Sequence, residues 1–355
     1  MANFVKGETD LMKAGFVYDP VYLKHDTGQH VENAERLKAI ISHLEQTRLK
    51  QQLTPIVPRA ASIEEIALVH HKQYISHIQD AAQRGGGWLD ADTVMSSGSY
   101  EAALYAAGGV IKAAEAVMDG EVDSAFALVR PPGHHATSQR AMGFCLFNNL
   151  AIAAKYALAK YGLDRALIID FDVHHGNGTQ DAFYDNPQVL YVSTHESPFY
   201  PGTGKIEETG SGAARGMTVN IPLPAGCGDA EYLRVFEQVV VPVVRRFNPQ
   251  LILVSAGYDL HWADGLALMQ VSTTGFSQMV GIIKGLADEL CSGRLVFSLE
   301  GGYNLTALAV SVKATFDVLL GNHDIEDPLG QSQRGFEAPS IGNLVRSIKE
   351  IHGLP

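Results

Sequence analysis

The chain has little cysteine. Its three thiols, Cys145, Cys227 and Cys291, are odd in number, lie far apart and form no C-x-x-C pair. That argues against a disulfide framework and a cysteine zinc site, and for a reducing compartment. Long apolar runs are missing as well. Val239-Val-Val-Pro-Val-Val244, among the longest, falls far short of the roughly 20 residues of a membrane-spanning helix. The N-terminus, Met1-Ala-Asn-Phe-Val-Lys-Gly-Glu-Thr-Asp10, lacks the charged and apolar regions of a secretory signal. The expectation is a soluble, cytoplasmic protein with no membrane partner. No basic block occurs, and 27 Lys and Arg against 39 Asp and Glu leave a net charge of −12. This disfavours nucleic acid as a direct partner and mildly favours a cationic one. Neither G-x-S-x-G nor G-x-G-x-x-G is present, so nothing supports a serine nucleophile or a dinucleotide site.

Glycine, by contrast, is plentiful at 35 residues, which fits many tight strand-to-helix turns. Short apolar runs predict strands at Gly15 to Tyr18, Leu53 to Val57, Ser124 to Val129, Ala166 to Ile169, Val189 to Ser193, Met217 to Ile221, Leu251 to Ser255 and Leu295 to Leu299. Helical spacing predicts helices at Glu35 to Gln46, Ile63 to Arg84, Tyr100 to Met118, Phe147 to Tyr161, Tyr232 to Phe247, Thr274 to Leu290 and Thr306 to Leu320. Trp88 to Ser99 and His195 to Arg215 read as loops. Strands that alternate with helices and are apolar on both faces predict an α/β fold, a mostly parallel sheet covered on both sides. No linker divides the chain, so residues 1–355 read as one domain, with 321–355 as an extension ending in a short amphipathic segment.

The chain's densest chemistry lies in Ala166-Leu-Ile-Ile-Asp170-Phe-Asp172-Val-His174-His175-Gly176-Asn177-Gly178. A buried strand runs straight into two carboxylates and two imidazoles. If the chain stays extended, its period of two turns Asp170, Asp172 and His174 to one side, a combination that Zn²⁺ accepts. Other unusual residues also follow strands. His134 and His135 come after Val129, Asp259 after Ser255, and Tyr303 after Leu299 through Glu300-Gly-Gly302. In a parallel sheet all strand C-termini share one edge, where α/β proteins place their ligand sites. Asp172, His174 and Asp259 are the candidate ligands of a catalytic zinc with an open position. His134 and His135 are a candidate base and acid, with Asp170 and Asn177 to orient them. Tyr303 is a candidate oxyanion donor. His70, His71 and His77 read as structural, because adjacent helical histidines diverge by about 100°.

Five segments in order resemble the zinc-dependent histone deacetylase family, closest to its class II branch and the bacterial histone deacetylase-like amidohydrolases. They are Arg130-Pro-Pro-Gly-His-His135, Gly143-Phe-Cys-Leu-Phe-Asn148, Asp170-Phe-Asp-Val-His-His-Gly-Asn-Gly178, Ser255-Ala-Gly-Tyr-Asp259 and Glu300-Gly-Gly-Tyr-Asn304. The resemblance runs from about Phe16 to Leu320. It implies the arginase–deacetylase fold, with a central eight-stranded sheet, and one catalytic Zn²⁺ per chain on Asp172, His174 and Asp259. It implies that His135 is the base and acid, oriented by Asn177, and that His134 pairs with Asp170 and assists electrostatically. Tyr303 would polarise the scissile carbonyl. Gly143, Phe144 and Tyr200 would line a tunnel for the aliphatic arm of an acyl-lysine, and Asp92 would hold the substrate backbone at the rim. One structural K⁺ would sit on Asp170, Asp172, His174, Ser193 and Thr194, and a second near Phe183, Asn186 and Val189.

The chain departs from the family at a few points. Ala34 replaces a usual proline, and Tyr200 stands where phenylalanine is common. The third ligand is followed by His261, Trp262 and Gly265, expected at the tunnel mouth, and by Leu266 where polyamine-selective relatives carry glutamate. The expected substrate is therefore an acyl-lysine peptide or protein, with acetylated polyamines as the alternative. An arginase-like ureohydrolase needs a second metal, and Gly176 stands where a further ligand would be. A non-catalytic acyl-lysine binder would be expected to lose the histidine pair or Tyr303. Assembly into a homo-oligomer is left open.

Overall fold

The computed structural model describes residues 12–335 and 337–355. The decapeptide read above for a secretory signal lies outside them. In chain order the strands are β1 (Ala14–Val17), β2 (Thr54–Ile56), β3 (Gly86–Trp88), β4 (Val94–Ser96), β5 (Ser124–Ala127), β6 (Ala166–Asp170), β7 (Val189–Glu196), β8 (Thr218–Leu223), β9 (Leu251–Ala256) and β10 (Leu295–Leu299). Eight of them form one sheet in the order β2-β1-β5-β10-β9-β6-β7-β8, every neighbouring pair parallel. The α/β architecture is therefore as expected. Strands β6, β9 and β10 are buried along their whole length, as their near-continuous Val, Ile and Leu content requires.

The helices are α1 (Glu35–Gln46), α2 (Ile63–Ile66), α3 (Lys72–Gln83), α4 (Ser99–Met118), α5 (Asn149–Tyr161), α6 (Asn177–Phe183), α7 (Asp229–Val235), α8 (Val241–Phe247), α9 (Thr273–Cys291), α10 (Leu305–Leu319) and α11 (Gly342–His352). One group, α4 with α5, and another, α1, α9 and α10, cover the sheet. Helix α4 lies close because its packed face is alanine and glycine, buried from Ala102 to Val117. Helix α11 packs beside β8, the last strand of the order, and shields that edge through Val345 and Ile348.

Several predicted elements differ. The helix predicted over 63–84 is two, broken at His70. The buried His70 ring meets the Thr137 carbonyl at 2.9 Å and accepts the Asn148 N–H at 2.9 Å, a pairing a continuous helix does not offer. An antiparallel hairpin spans the predicted glycine break and the predicted loop 88–99: β3 takes in Gly86 and Gly87 of the triple glycine, which masked it, and β4 lies within the loop. Strand β7 runs on to Glu196, and the helix predicted over 232–247 begins at Asp229 and carries a π-turn at Phe236–Val240 just before Pro242.

Candidate active site and metal centre

Four adjacent strands, β5, β10, β9 and β6, supply the site. Their C-terminal ends deliver the His134–His135 loop, the Gly301–Tyr303 loop, Asp259, and Asp172 with His174. Strand β6 ends at Asp170, and the chain then turns through two side-chain-to-backbone bonds. Asp170 Oδ1 accepts from Asp172 N–H at 3.1 Å, and Asp172 Oδ1 accepts from His174 N–H at 2.9 Å. The chain beyond β6 is thus folded rather than extended. Asp170 faces His134 while Asp172 and His174 face Asp259.

Those three form a candidate metal cradle. His174 Nδ1 lies 3.1 Å from Asp172 Oδ1 and 3.3 Å from Asp259 Oδ2. One ligand atom from each lies within 4.8 Å of the others, and all three residues are buried. Zinc–oxygen and zinc–nitrogen bonds are about 2.0–2.2 Å, which places tetrahedral ligand atoms about 3.3 Å apart. The remaining carboxylate oxygens are occupied: Asp172 Oδ2 accepts from Gly301 N–H at 2.8 Å and Asp259 Oδ1 from Val173 N–H at 3.1 Å. Asp259 Oδ2, however, is buried with no hydrogen-bond partner. An orphaned carboxylate oxygen aimed at an imidazole is costly unless a cation answers it. Burial, then the Asp172 charge, lifts the Asp259 carboxyl to about 6, the mark of two acids sharing one cradle. The donor set fits a divalent ion of the zinc kind.

Beside the cradle the two histidine rings lie with centres 4.0 Å apart, tilted at 44° to each other. His134 Nδ1 meets Asp170 Oδ2 at 3.1 Å. Burial alone would lower its pKa, but Asp170 and Asp172 outweigh burial and raise it to about 10, which favours the protonated ring. His135 Nδ1 meets Asn177 Oδ1 at 2.9 Å. Burial, and then the neighbouring His134 and His174 rings, push His135 well below its ordinary value. An amide oxygen only accepts, so Nδ1 carries the proton and Nε2 is left as a free base. Gly143 has φ +54°, and a Cβ there would strike the His135 ring, so only glycine brings the chain this close.

The site opens through a cavity of about 200 Å³, lined by Asp92, Pro132, His134, His135, Gly143, Phe144, His174, Phe199, Tyr200, Leu266, Gly301 and Tyr303. Phe144 meets Tyr303 edge to face at 5.9 Å, and Tyr200 meets His135 likewise at 5.1 Å. Asp92 accepts the Thr93 hydroxyl at 3.0 Å, and that hydroxyl in turn accepts Phe144 N–H at 3.1 Å. Burial, with Asp90 beside it, raises the Asp92 carboxyl.

The tunnel mouth differs from the sequence expectation. His261 is buried and stacks on Phe276 at 6.3 Å, and Trp262 turns its indole N–H to the Gly330 carbonyl at 2.8 Å. Neither lines the cavity, because this part of the loop packs onto α9 and the C-terminal segment. Gly265 is exposed beside Leu266. Phe199, stacked on His174 at 5.2 Å, was missed, although an aromatic pair between Pro198 and Pro201 marked it. His175 lies off the cavity, bonded to Thr203 at 2.7 Å and Gln180 at 3.0 Å. Also missed was Glu300, whose buried carboxylate accepts Gly133 N–H at 2.7 Å and His134 N–H at 3.2 Å and so holds the histidine loop.

Of the residues expected at potassium, Ser193 pairs in register with Asp170 and bonds His195 at 2.9 Å, and Thr194 Oγ1 is buried without a partner. Phe183, Asn186 and Val189 form a turn, in which Phe183 O accepts Asn186 N–H at 3.0 Å and Asn186 O accepts Val189 N–H at 3.4 Å.

A parallel α/β sheet with an Asp-His-Asp cradle, a tandem histidine pair and a tyrosine around one narrow cavity defines a hydrolase of the deacetylase class. Residues 30–319 match the histone deacetylase domain, and the chain belongs to the histone deacetylase family. It is 40% identical to histone deacetylase 14, chloroplastic, of Arabidopsis thaliana, over 94% of this chain and 83% of that protein. It is 42% identical to a probable deacetylase of Archaeoglobus fulgidus, over 83% of this chain and 82% of that one. Its structure superposes on the crystal structure of the HDA15 HD domain with a TM-score of 0.87 at 36% identity, covering 96% of this chain and 94% of that chain. Among the described residues no helix is long and apolar enough to cross a membrane.

Proposed function

We propose that the chain removes the acetyl group from N-ε-acetyl-lysine by hydrolysis, in a cytoplasmic setting that suits its three buried, unpaired thiols. The observation that carries this reading is the Asp172, His174 and Asp259 cluster, with one Asp259 oxygen left without a hydrogen bond and His174 lining a cavity walled by Phe144, Phe199 and Tyr200. Asp172, His174 and Asp259 would hold one zinc ion. Bound there, the ion would supply Lewis-acid polarisation of the acyl carbonyl and an activated water.

The chain's own residues do the rest. The aromatic walls take the apolar stem of the lysine and exclude bulk water, while Asp92 at the rim accepts from the substrate backbone. His135 Nε2 takes a proton from the attacking water, with Asn177 holding the ring's other nitrogen protonated and in register. The same nitrogen then returns that proton to the lysine nitrogen as the C–N bond breaks. His134, held as a cation by Asp170, lowers the energy of the negative charge that develops nearby. Tyr303 donates its hydroxyl to the acyl oxygen. Potassium on Asp170, Asp172, His174, Ser193 and Thr194, and on the Phe183, Asn186 and Val189 turn, belongs to the same reading, and the spare Thr194 oxygen supports the first of these.

A ureohydrolase would need a second metal ligand at Gly176. A Cβ there would collide with Asp170 Oδ2 and the Tyr191 hydroxyl, so no longer side chain fits. A pure binder has no use for an unprotonated His135 Nε2 on the cavity wall. The test is a substrate panel on the zinc-loaded chain. It should show a higher kcat/KM for acetyl-lysine peptides than for acetylspermidine. The reverse order would make this a polyamine deacetylase.

A further inference from the structure

The segment after α10 wraps back onto the rim of the cavity. Asp327 accepts from Thr274 N–H and hydroxyl, both at 3.1 Å, and its other oxygen accepts from Gly330 N–H at 2.8 Å. The Gly330 carbonyl then takes the Trp262 indole, as described above. Arg334 reaches the rim loop itself. Its Nη1 donates to the Ala267 carbonyl at 2.9 Å, and its Nη2 donates to the Asp264 carbonyl. Those two carbonyls bracket Leu266, which lines the cavity.

From the inner side, Asp264 holds the catalytic loop. Its buried carboxylate accepts Tyr303 N–H at 2.6 Å, Asn304 N–H at 2.9 Å and Leu266 N–H at 3.1 Å. Asn304 returns a bond to the Ala263 carbonyl at 2.9 Å. The crest between the Asp264 and Ala267 carbonyls is lightly packed at Gly265, which is exposed with nothing within 4 Å of its Cβ position, while Ala267 and Met269 beyond it are buried. A loop crest that relies on hydrogen bonds for its position loosens when one of those tethers is cut. A guanidinium that bonds two carbonyls of one turn is a strong, directional tether.

We propose that Arg334 is a positioning residue for the hydrolysis, gripping Asp264 from outside so that Asp264 presents Tyr303 and Leu266 to the substrate. The inference rests on the function proposed above and gives the C-terminal segment a part in it. The test compares the full zinc-loaded chain with Arg334→Ala, with Arg334→Met, which keeps the aliphatic stem, and with Gln333→Ala. Among the described residues Gln333 bonds only Gln331, within the same segment. Three readouts are taken: kcat and KM on an acetyl-lysine peptide, hydrogen exchange of residues 259–268 and 301–304, and Tm.

Both Arg334 variants should lose roughly ten-fold or more in kcat, because small misplacements of a catalytic group are expensive. KM should change far less, exchange should quicken in both loops, and Tm should hold, while Gln333→Ala matches the parent throughout. A kcat within about two-fold of the parent, or faster exchange confined to residues 327–334, overturns the inference. If the parent itself has no turnover on the peptide, the functional reading fails instead, and the exchange comparison still decides whether Arg334 holds the two loops.

Discussion

Replacing Tyr303 with phenylalanine isolates one hydroxyl. The ring is fixed by groups that the substitution leaves alone: the Tyr303 N–H on Asp264 at 2.6 Å, the Arg36 guanidinium 4.9 Å from the ring centre, and Phe144 edge-on at 5.9 Å. Among the described residues the hydroxyl has no hydrogen-bond partner, so no internal bond is lost. Stability should change by less than about 0.5 kcal/mol, the range of a substitution without a structural role. Catalysis should change much more. A donor aimed at a developing oxyanion is worth about 3–4 kcal/mol of barrier, so kcat should fall roughly 10²- to 10³-fold. KM should stay within a few-fold, since the tunnel walls are intact. The assay is steady-state deacetylation of an acetyl-lysine peptide, with thermal denaturation of the same samples. A kcat within about five-fold of the parent would refute the oxyanion role.

Two further predictions concern stability. Glu32 is buried between Arg130, with contacts of 2.5 and 2.8 Å, and Arg36 at 3.0 Å. Glu32→Gln leaves two buried guanidinium groups short of a counter-charge and should cost about 3–5 kcal/mol, read as a lower denaturation midpoint; a loss under about 1 kcal/mol would contradict the account. His70 is buried as a neutral ring, its Nδ1–H donating to Thr137 and its Nε2 accepting from Asn148, and burial lowers its pKa to about 4. Below about pH 6.5 the unfolded chain takes up a proton that the folded chain refuses. This contribution is therefore complete above that pH and is lost as pH falls toward 4, by on the order of 3 kcal/mol in total. His70→Gln should lower Tm at pH 7 but flatten its fall between pH 7 and pH 5; an equally steep fall in the variant would show that His70 is not the group responsible.

The strands were legible because parallel strands buried on both faces are near-continuous runs of Val, Ile and Leu, as in Leu251 to Val254. Their order was not, since β5 and β10 pair in register across residues 124 to 298 and no local pattern records that. What could be argued was that parallel strand ends share an edge, and this brought His134, Asp172, Asp259 and Tyr303 to one site before their distances were known. The rim escaped the same reasoning. His261 looked like a mouth residue because it follows a ligand, yet packing on Phe276 decides its direction. Asp264 and Arg334 act through backbone groups, which leave no trace in side-chain identity. The break at His70 came from a ring bonded to residues 67 and 78 positions away, a tertiary override of local helix spacing.

The central claim is that one zinc ion on Asp172, His174 and Asp259 hydrolyses an acyl-lysine amide. Its most direct test strips the chain with a chelator, verifies metal loss by elemental analysis, and titrates zinc back while following release of acetate from an acetyl-lysine peptide. The account predicts that turnover disappears with the metal and returns in proportion to zinc, reaching full activity at one ion per chain. Undiminished turnover in chain verified to be free of metal, or activity that returns only at two ions per chain, would contradict it.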